Sequence, residues 1–354
     1  MSTITRASVV IATYNGEKYI EQQLLSIINQ SVKPYEIIIS DDNSKDNTLS
    51  ICQRIINENY TDDIKIRLLK NDVNNKGIAN NFENGFKHVT GQVVFLCDQD
   101  DIWMPNKIET MLELMNKTNK KFAFHNVKIL SETSTKKFKL TNQTLFNINN
   151  LKALDSTSVI LNTEYYYRIA LLHCYILGMC MCIETNLLKK MLPLTKARNH
   201  DDWILCCAMF EGSVVSTNEC LAYYRRHENN NSILSEYKMK LSLAEKLKKF
   251  DKEGCNSIKQ LYCFSTDIWN YTNHAKITDD NIDKIYEFYR DERICALRKH
   301  KFFALLSLMI LKKNGDYNID GNIMFYHDIW FCLSKSFKNR NQFIDECKNY
   351  IREI

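Results

Sequence analysis

Ser8-Val9-Val10-Ile11-Ala12 is a short, nearly unbroken apolar run, the pattern of a strand buried on both faces. Ile20, Leu24, Ile27 and Ile28 follow at helical spacing and predict one apolar stripe on a helix from about Glu17 to Gln30. Pro34 ends that element, and Glu36-Ile37-Ile38-Ile39 predicts a second strand. A second helix turns Ile51, Cys52, Ile55 and Ile56 inward behind Asp46 as its N-cap, and Ile64 to Leu69 reads as a third strand. Ile78, Phe82, Phe86 and Val89 mark one face of a third helix, and Val93-Val94-Phe95-Leu96-Cys97 is a fourth strand. This alternation predicts an α/β fold with a mainly parallel sheet flanked by helices. Ligands then bind outside the carboxyl ends of the strands, at the loops after strands one, two and four.

Beyond Pro105 the pattern loosens. Phe122 to Leu130 reads as a strand, Ser131 to Asn150 as a polar mobile loop, Leu177 to Ile183 as a further apolar run. Asp202 to Phe210 reads as a helix and Leu221 to Arg225 as a last strand; from about Ser235 the pattern is helical. The expected division is a catalytic domain over 1–235, with halves at about 1–105 and 106–235, and a helical region over 236–354.

Composition adds exclusions. The chain has 354 residues, 45% hydrophobic and 25% charged, which is ordinary for a folded globular protein. A net charge of +5 is too small for a nucleic-acid binder. From Glu236 onward 21 Lys and Arg face 17 Asp and Glu, so four of those five charges sit there, a surplus that suits an anionic membrane surface. Met1 to Arg6 lead straight into a strand without an export signal, which predicts a cytoplasmic chain whose thirteen cysteines are reduced and buried. The longest apolar run, Phe302 to Leu311, has ten residues, about half of the ~20 that a spanning helix needs.

Asp98, Asp100 and Asp101 crowd three carboxylates into four residues at a strand end. Without a counter-charge they repel one another, so the pattern points to a hard divalent cation, Mg²⁺ or Mn²⁺. The competing reading is a solvated acidic turn. Asp41 and Asp42 end the second strand on the same edge, where carboxylates can accept bonds from a ribose or nucleobase N–H or can cap the next helix. Thr13-Tyr14-Asn15-Gly16 closes the first strand, either as a cradle for a base or as an ordinary turn.

The stretches VVIATYNGEKYIEQQLLSIINQ, EIIISDDNSKDNT and VVFLCDQDDIWMPNK resemble the family 2 glycosyltransferases of the GT-A fold, and in particular bacterial rhamnosyltransferase-like members that build surface polysaccharides. The resemblance covers about residues 6–235. It implies that Thr13, Tyr14, Asn15, Asp41 and Asp42 serve the nucleotide, and that Asp98 and Asp100 form the metal pair, with Asp98 also at the donor. Asn75-Lys76-Gly77-Ile78-Ala79-Asn80-Asn81 matches a further donor-site motif, which adds Lys76, Gly77 and Asn81; where the family has Arg, this chain has Asn80. Leu177-Gly178-Met179-Cys180 resembles the turn at the donor–acceptor junction. His200-Asp201-Asp202-Trp203 resembles the motif whose Asp is the catalytic base, which points to Asp201 with Asp202 as runner-up. Tyr223 to Asn230 resembles the closing motif; its Arg226 and His227 balance the leaving diphosphate, and His227 joins the metal set.

The implied activity is inverting transfer from dTDP-rhamnose or a UDP-hexose to a hydroxyl of a glycan acceptor, expected to be lipid-linked, in capsule, O-antigen or other cell-surface polysaccharide synthesis. Arg298-Lys299-His300-Lys301 before the Phe302–Leu311 run reads equally as a helix on the inner membrane leaflet or as a buried packing helix with charged ends. A nucleotidyltransferase would carry a Gly-rich basic loop where Tyr14-Asn15-Gly16-Glu17 stands, and no Gly-x-Gly-x-x-Gly marks a dinucleotide oxidoreductase. A receiver domain would have its acidic pair after the first strand. A non-catalytic descendant of the fold would most simply have lost its acidic ligands or its base.

Overall fold

The computed structural model describes residues 3–59, 63–74, 76–133, 135, 137–149, 151, 176–227, 260 and 263–277, with scattered positions from 296 to 345. Asn75, His173, Glu228-Asn229-Asn230 and Arg298-Lys299-His300-Lys301 lie outside the described residues. The chain divides into two compact units. One takes the described residues of Met1–Leu161, Tyr175–Leu194 and Gly212–Ile233; the other takes those of Asn162–Cys174, Thr195–Glu211 and Leu234–Ile354.

The first unit holds a nine-stranded sheet among its described residues. Its N-terminal part runs β1 (Ala7–Thr13), α1 (Ile20–Ile28), β2 (Glu36–Asp41), α2 (Thr48–Glu58), β3 (Lys65–Lys70), α3 (Ile78–Phe86) and β4 (Val93–Asp98). The order β3-β2-β1-β4 is wholly parallel. Val9 to Ile11, Ile37 to Ile39 and Val93 to Cys97 are completely buried, which is why their sequences show no alternation. Each such Ile or Phe contributes roughly 1.5–3 kcal/mol through burial. Phe82 and Phe86 anchor α3, whereas Ile78, expected on the same face, is 40% exposed at the helix start. Asp46 lies one residue outside the N-cap position, where its Oδ1 accepts the Thr48 N–H.

The remaining elements are β5 (Ile102–Trp103), α4 (Lys107–Thr118), β6 (Phe122–Glu132), β7 (Phe138–Thr144), α5 (Leu145–Asn149), β8 (Met181–Glu184), α6 (Thr185–Lys190) and β9 (Val214–Arg226). Here β4–β8, β8–β6, β6–β7 and β9–β5 pair antiparallel, while β6–β9 is parallel. The expected loop over Ser131 to Asn150 is corrected: it contains the end of β6, all of β7 and α5. β7 is an outer strand with most side chains exposed, so it has no apolar alternation to read, and Leu145 and Phe146 bury α5.

In the second unit α7 (His200–Phe210) packs Trp203 edge-on against Phe264 and Tyr271, at centroid distances of 6.2 and 5.8 Å. A further helix covers 263–274. Ala304 and Leu308, four apart and helical, are fully buried, while Met309 is exposed. No helix among the described residues is long and apolar enough to cross a membrane. The described cysteines are free; seven are buried, and burial pushes the Cys52 and Cys182 thiols up to about 12.

At the opposite sheet end from the β-strand tips, buried Glu36 accepts bonds from Ser8 Oγ (2.6 Å), Thr90 N (2.6 Å), Gly91 N (3.1 Å) and Arg67 (2.7 Å). Burial raises its pKa, but the bonds from Ser8, Thr90 and Arg67 outweigh it and hold the carboxyl below its usual value. Glu36→Gln is expected to cost about 2–4 kcal/mol, because a weaker acceptor leaves buried donors poorly matched. A carboxyl depressed on folding stabilises above the unfolded value of ~4.3 and loses that contribution as pH falls through its folded value. The gap in denaturation midpoint between the natural chain and Glu36→Gln should therefore narrow on acidification from pH 7.

Candidate active site

β2, β1 and β4 lie side by side, so their carboxyl ends bring three loops to one edge. The first two loops are laced together by side chains bonding to backbone. Asn15 N–H donates to Ser44 Oγ (2.9 Å), Lys45 N–H to Asn15 Oδ1 (2.8 Å) and Gly16 N–H to Thr48 Oγ1 (2.7 Å). Glu17 N–H donates to Asp46, and Glu17 Oε2 accepts from Asn47. Asn15 takes a left-handed φ of 48°, a conformation that Asn tolerates and that turns the chain at this corner.

Asp41 and Asp42 have different environments. Asp41 is fully buried; its oxygens accept from Thr13 Oγ1 (2.9 Å) and from Ser44 N and Oγ (2.8 and 2.6 Å). It shapes the loops from inside. Asp42 accepts from Asn71 Nδ2 (3.0 Å) and from the Gly77 N–H (2.9 Å), which ties the second loop to the start of α3. Gly77 has φ 111°, a backbone that L side chains rarely adopt. Lys76 lies beside it on the surface. Asn81 is buried, donating to Thr13 O (3.1 Å) and accepting from Ser40 Oγ (2.8 Å), so it braces β1 and β2 beneath the edge.

The third loop holds the acidic residues. Asp100 Oδ2 lies 2.9 Å from His227 Nε2, just past the end of β9, and both side chains are largely buried. The His227 ring stacks on Tyr19 at 4.8 Å. Asp101 is fully buried: Oδ1 accepts the Arg225 N–H (3.1 Å), while Oδ2 has no partner among the described residues. Burial, then Asp100 and Asp98, push its carboxyl well above the usual range. Asp98, the last residue of β4, pairs in register with Ala12 of β1. Arg225 is buried; it donates to Asp100 O (3.1 Å) and Gln22 Oε1, and its guanidinium lies over the Tyr19 and Phe138 rings. Arg226, next along β9, is half-buried.

Among the described residues no group of three or more His, Cys, Asp or Glu is arranged to hold a metal ion. The donors nonetheless suit a Mg²⁺ or Mn²⁺ shared with a ligand. Such ions take one or two carboxylates and draw their other oxygens from phosphate and water. Burial is the larger cause of the raised Asp101 carboxyl, and the crowding by Asp100 and Asp98 that adds to it is a repulsion that a cation would relieve.

Two residues here were missed in the sequence reading. Gln99, inside the acidic loop, bonds the Tyr14 backbone N–H and C=O with the two ends of its amide. Lys107 is wholly buried, donating to Met179 O (2.7 Å) with its ammonium 3.6 Å from the Trp103 ring centre. Burial lowers its pKa to about 8, against the pull of Cys97, Cys180 and Asp101. It thereby joins the segment after the acidic loop to the Gly178–Cys180 turn. Gln99 had one available signal, an amide between acids at a strand end; Lys107 had none, since lysine is rarely buried.

Asp201 and Asp202 occupy the first turn of α7 in the second unit, where the helix dipole favours carboxylates. Asp201 Oδ1 accepts the Asp202 N–H (2.9 Å). His200 beside them is buried, which lowers its pKa to about 3 and keeps the imidazole neutral.

Residues 8–176 match the description Glycosyl transferase family 2. Over those residues the chain resembles a family 2 glycosyltransferase domain. The chain is 32% identical over 127 residues to the Escherichia coli UDP-Glc:alpha-D-GlcNAc-diphosphoundecaprenol beta-1,3-glucosyltransferase WfgD, covering 36% of this chain and 47% of that protein. It is 41% identical over 108 residues to the Shigella flexneri dTDP-rhamnosyl transferase RfbG, covering 30% and 36%. The matched stretches thus span less than half the length of either relative. The fold resembles S. aureus TarS 1-349 in complex with UDP-GlcNAc, with TM-score 0.51 and 18% identity over 90% of this chain and 91% of that one. The sheet with its helices resembles the GT-A fold.

Proposed function

We propose that the chain is an inverting glycosyltransferase that moves a sugar from a nucleotide-diphosphate donor to a hydroxyl of a lipid-linked glycan in cell-surface polysaccharide synthesis. The observation that carries this is the convergence of the Tyr14, Asp42 and Asp100 loops on one sheet edge, with His227 bonded to Asp100. UDP-glucose and dTDP-rhamnose are the donor candidates, since two of the relatives are named for those two donor types. The diphosphoundecaprenol in one of those names supports a lipid-linked acceptor.

Thr13, Tyr14, Asn15, Asp42, Lys76 and Gly77 receive the nucleoside, while buried Asp41 and Asn81 keep their loops in place. Asp98 and Asp100, with His227, would hold Mg²⁺ or Mn²⁺, which supplies positive charge to the departing diphosphate. Arg226 adds to that charge. Asp201, with Asp202 as its rival, takes the proton from the acceptor hydroxyl as its oxygen attacks the anomeric carbon from the face opposite the diphosphate. The basic surplus beyond Glu236 supports peripheral contact with the inner leaflet.

The test is mass-spectrometric detection of donor turnover over a panel of nucleotide sugars with Mn²⁺ or Mg²⁺. Release of UDP or dTDP from one donor, with sugar gained by a lipid-diphosphate glycan, is the expected result. Nucleotide binding without turnover of any donor and acceptor pair would overturn the catalytic reading.

A further inference from the structure

The side chain of Gln99 closes on the backbone of one residue of the β1 loop, Tyr14. Oε1 accepts the Tyr14 N–H at 2.9 Å, and Nε2 donates to Tyr14 O at 3.0 Å. Gly16 leaves the room this needs: a Cβ there would stand 2.2 Å from Gln99 Oε1, and its three nearest neighbours would all be Gln99 atoms. The other side of the same loop is already fastened, through Asn15 and Gly16, to the loop after β2 and to the first residue of α2. The Tyr14 side chain itself is 55% exposed, so its place is set by the backbone beneath it. Gln99 meanwhile sits between Asp98 and Asp100.

We propose that Gln99 is a positioning residue that couples the two ends of a nucleoside-diphosphate site. The acidic loop that meets the diphosphate holds, through the Gln99 amide, the Tyr14 backbone on which the nucleobase end is built. The inference rests on the donor site described under the proposed function. It assigns Gln99 no contact with ligand.

Calorimetric titration of the full chain with UDP and with uridine, in Mn²⁺ buffer, tests it; dTDP and thymidine replace them if the natural chain prefers that base. Losing two neutral hydrogen bonds should weaken UDP about tenfold in Gln99→Ala. Uridine should weaken by a similar factor, because the displaced group is the loop and not a phosphate contact. Gly16→Ala should reproduce the loss by pushing the flexible amide aside, and its φ lies outside the left-handed region, so the backbone accepts alanine. The double variant should stay about tenfold down, not a hundredfold, since both changes break one contact. Unchanged nucleotide affinity in Gln99→Ala, a loss confined to UDP, or multiplying effects in the double variant would each overturn the coupling. Failure of the natural chain to bind either UDP or dTDP would instead remove the functional reading beneath it.

Discussion

Asp100→Ala is expected to lower sugar transfer by about 10²–10³-fold, the usual cost of removing one preorganised electrostatic contact at a reacting centre. The side chain is largely buried beside His227, with its Oδ2 2.9 Å from Nε2. Truncation removes an anionic oxygen donor and also leaves the His227 ring without this bond, although its stack on Tyr19 remains. Asp100→Asn keeps the shape and loses the charge. If it falls as far as Asp100→Ala, charge is the decisive property; if it retains most activity, the bond to His227 is. Equilibrium Mn²⁺ binding in the presence of UDP gives a readout independent of turnover. Full activity in Asp100→Ala would end the proposed metal role.

Asp201→Asn is expected to lower turnover by roughly 10²–10⁴-fold, the range for a positioned general base. Asparagine preserves size and can still accept the Asp202 N–H that Asp201 Oδ1 takes at 2.9 Å. Folding should therefore survive while basicity is lost. Asp202→Asn is the matched control, one residue on in the same helical turn. A large loss in Asp202→Asn with little in Asp201→Asn would move the base to Asp202. Retained turnover in both would remove the base from this motif altogether.

Much of the first unit could be read directly because burial leaves a mark on composition. Val9, Val10 and Ile11 are apolar because both faces of β1 are covered, and the same holds for Ile37 to Ile39. The stripes of α1 and α3 gave Leu24, Ile27, Phe82 and Phe86 as core residues, and all four are buried. β7 was missed for the complementary reason. Phe138 packs edge-on against Tyr19, but its strand is otherwise exposed, and only pairing with β6 makes it a strand.

The chain alone determined the alternation of strands and helices, the edge where the loops gather and the residue types available there. Those follow from periodicity and from the rule that ligands meet parallel sheets at strand ends. Tertiary structure decided what each side chain does. It buried Asp41 while tying Asp42 to Gly77, raised the Asp101 carboxyl by burying it beside Asp100 and Asp98, and committed Arg225 to the interior. It also joined Gln99 to the backbone 85 residues earlier. Periodicity reports how much of a residue is covered; a hydrogen-bond partner distant in sequence leaves no periodic trace, so roles built on such partners emerge only when the chain is folded.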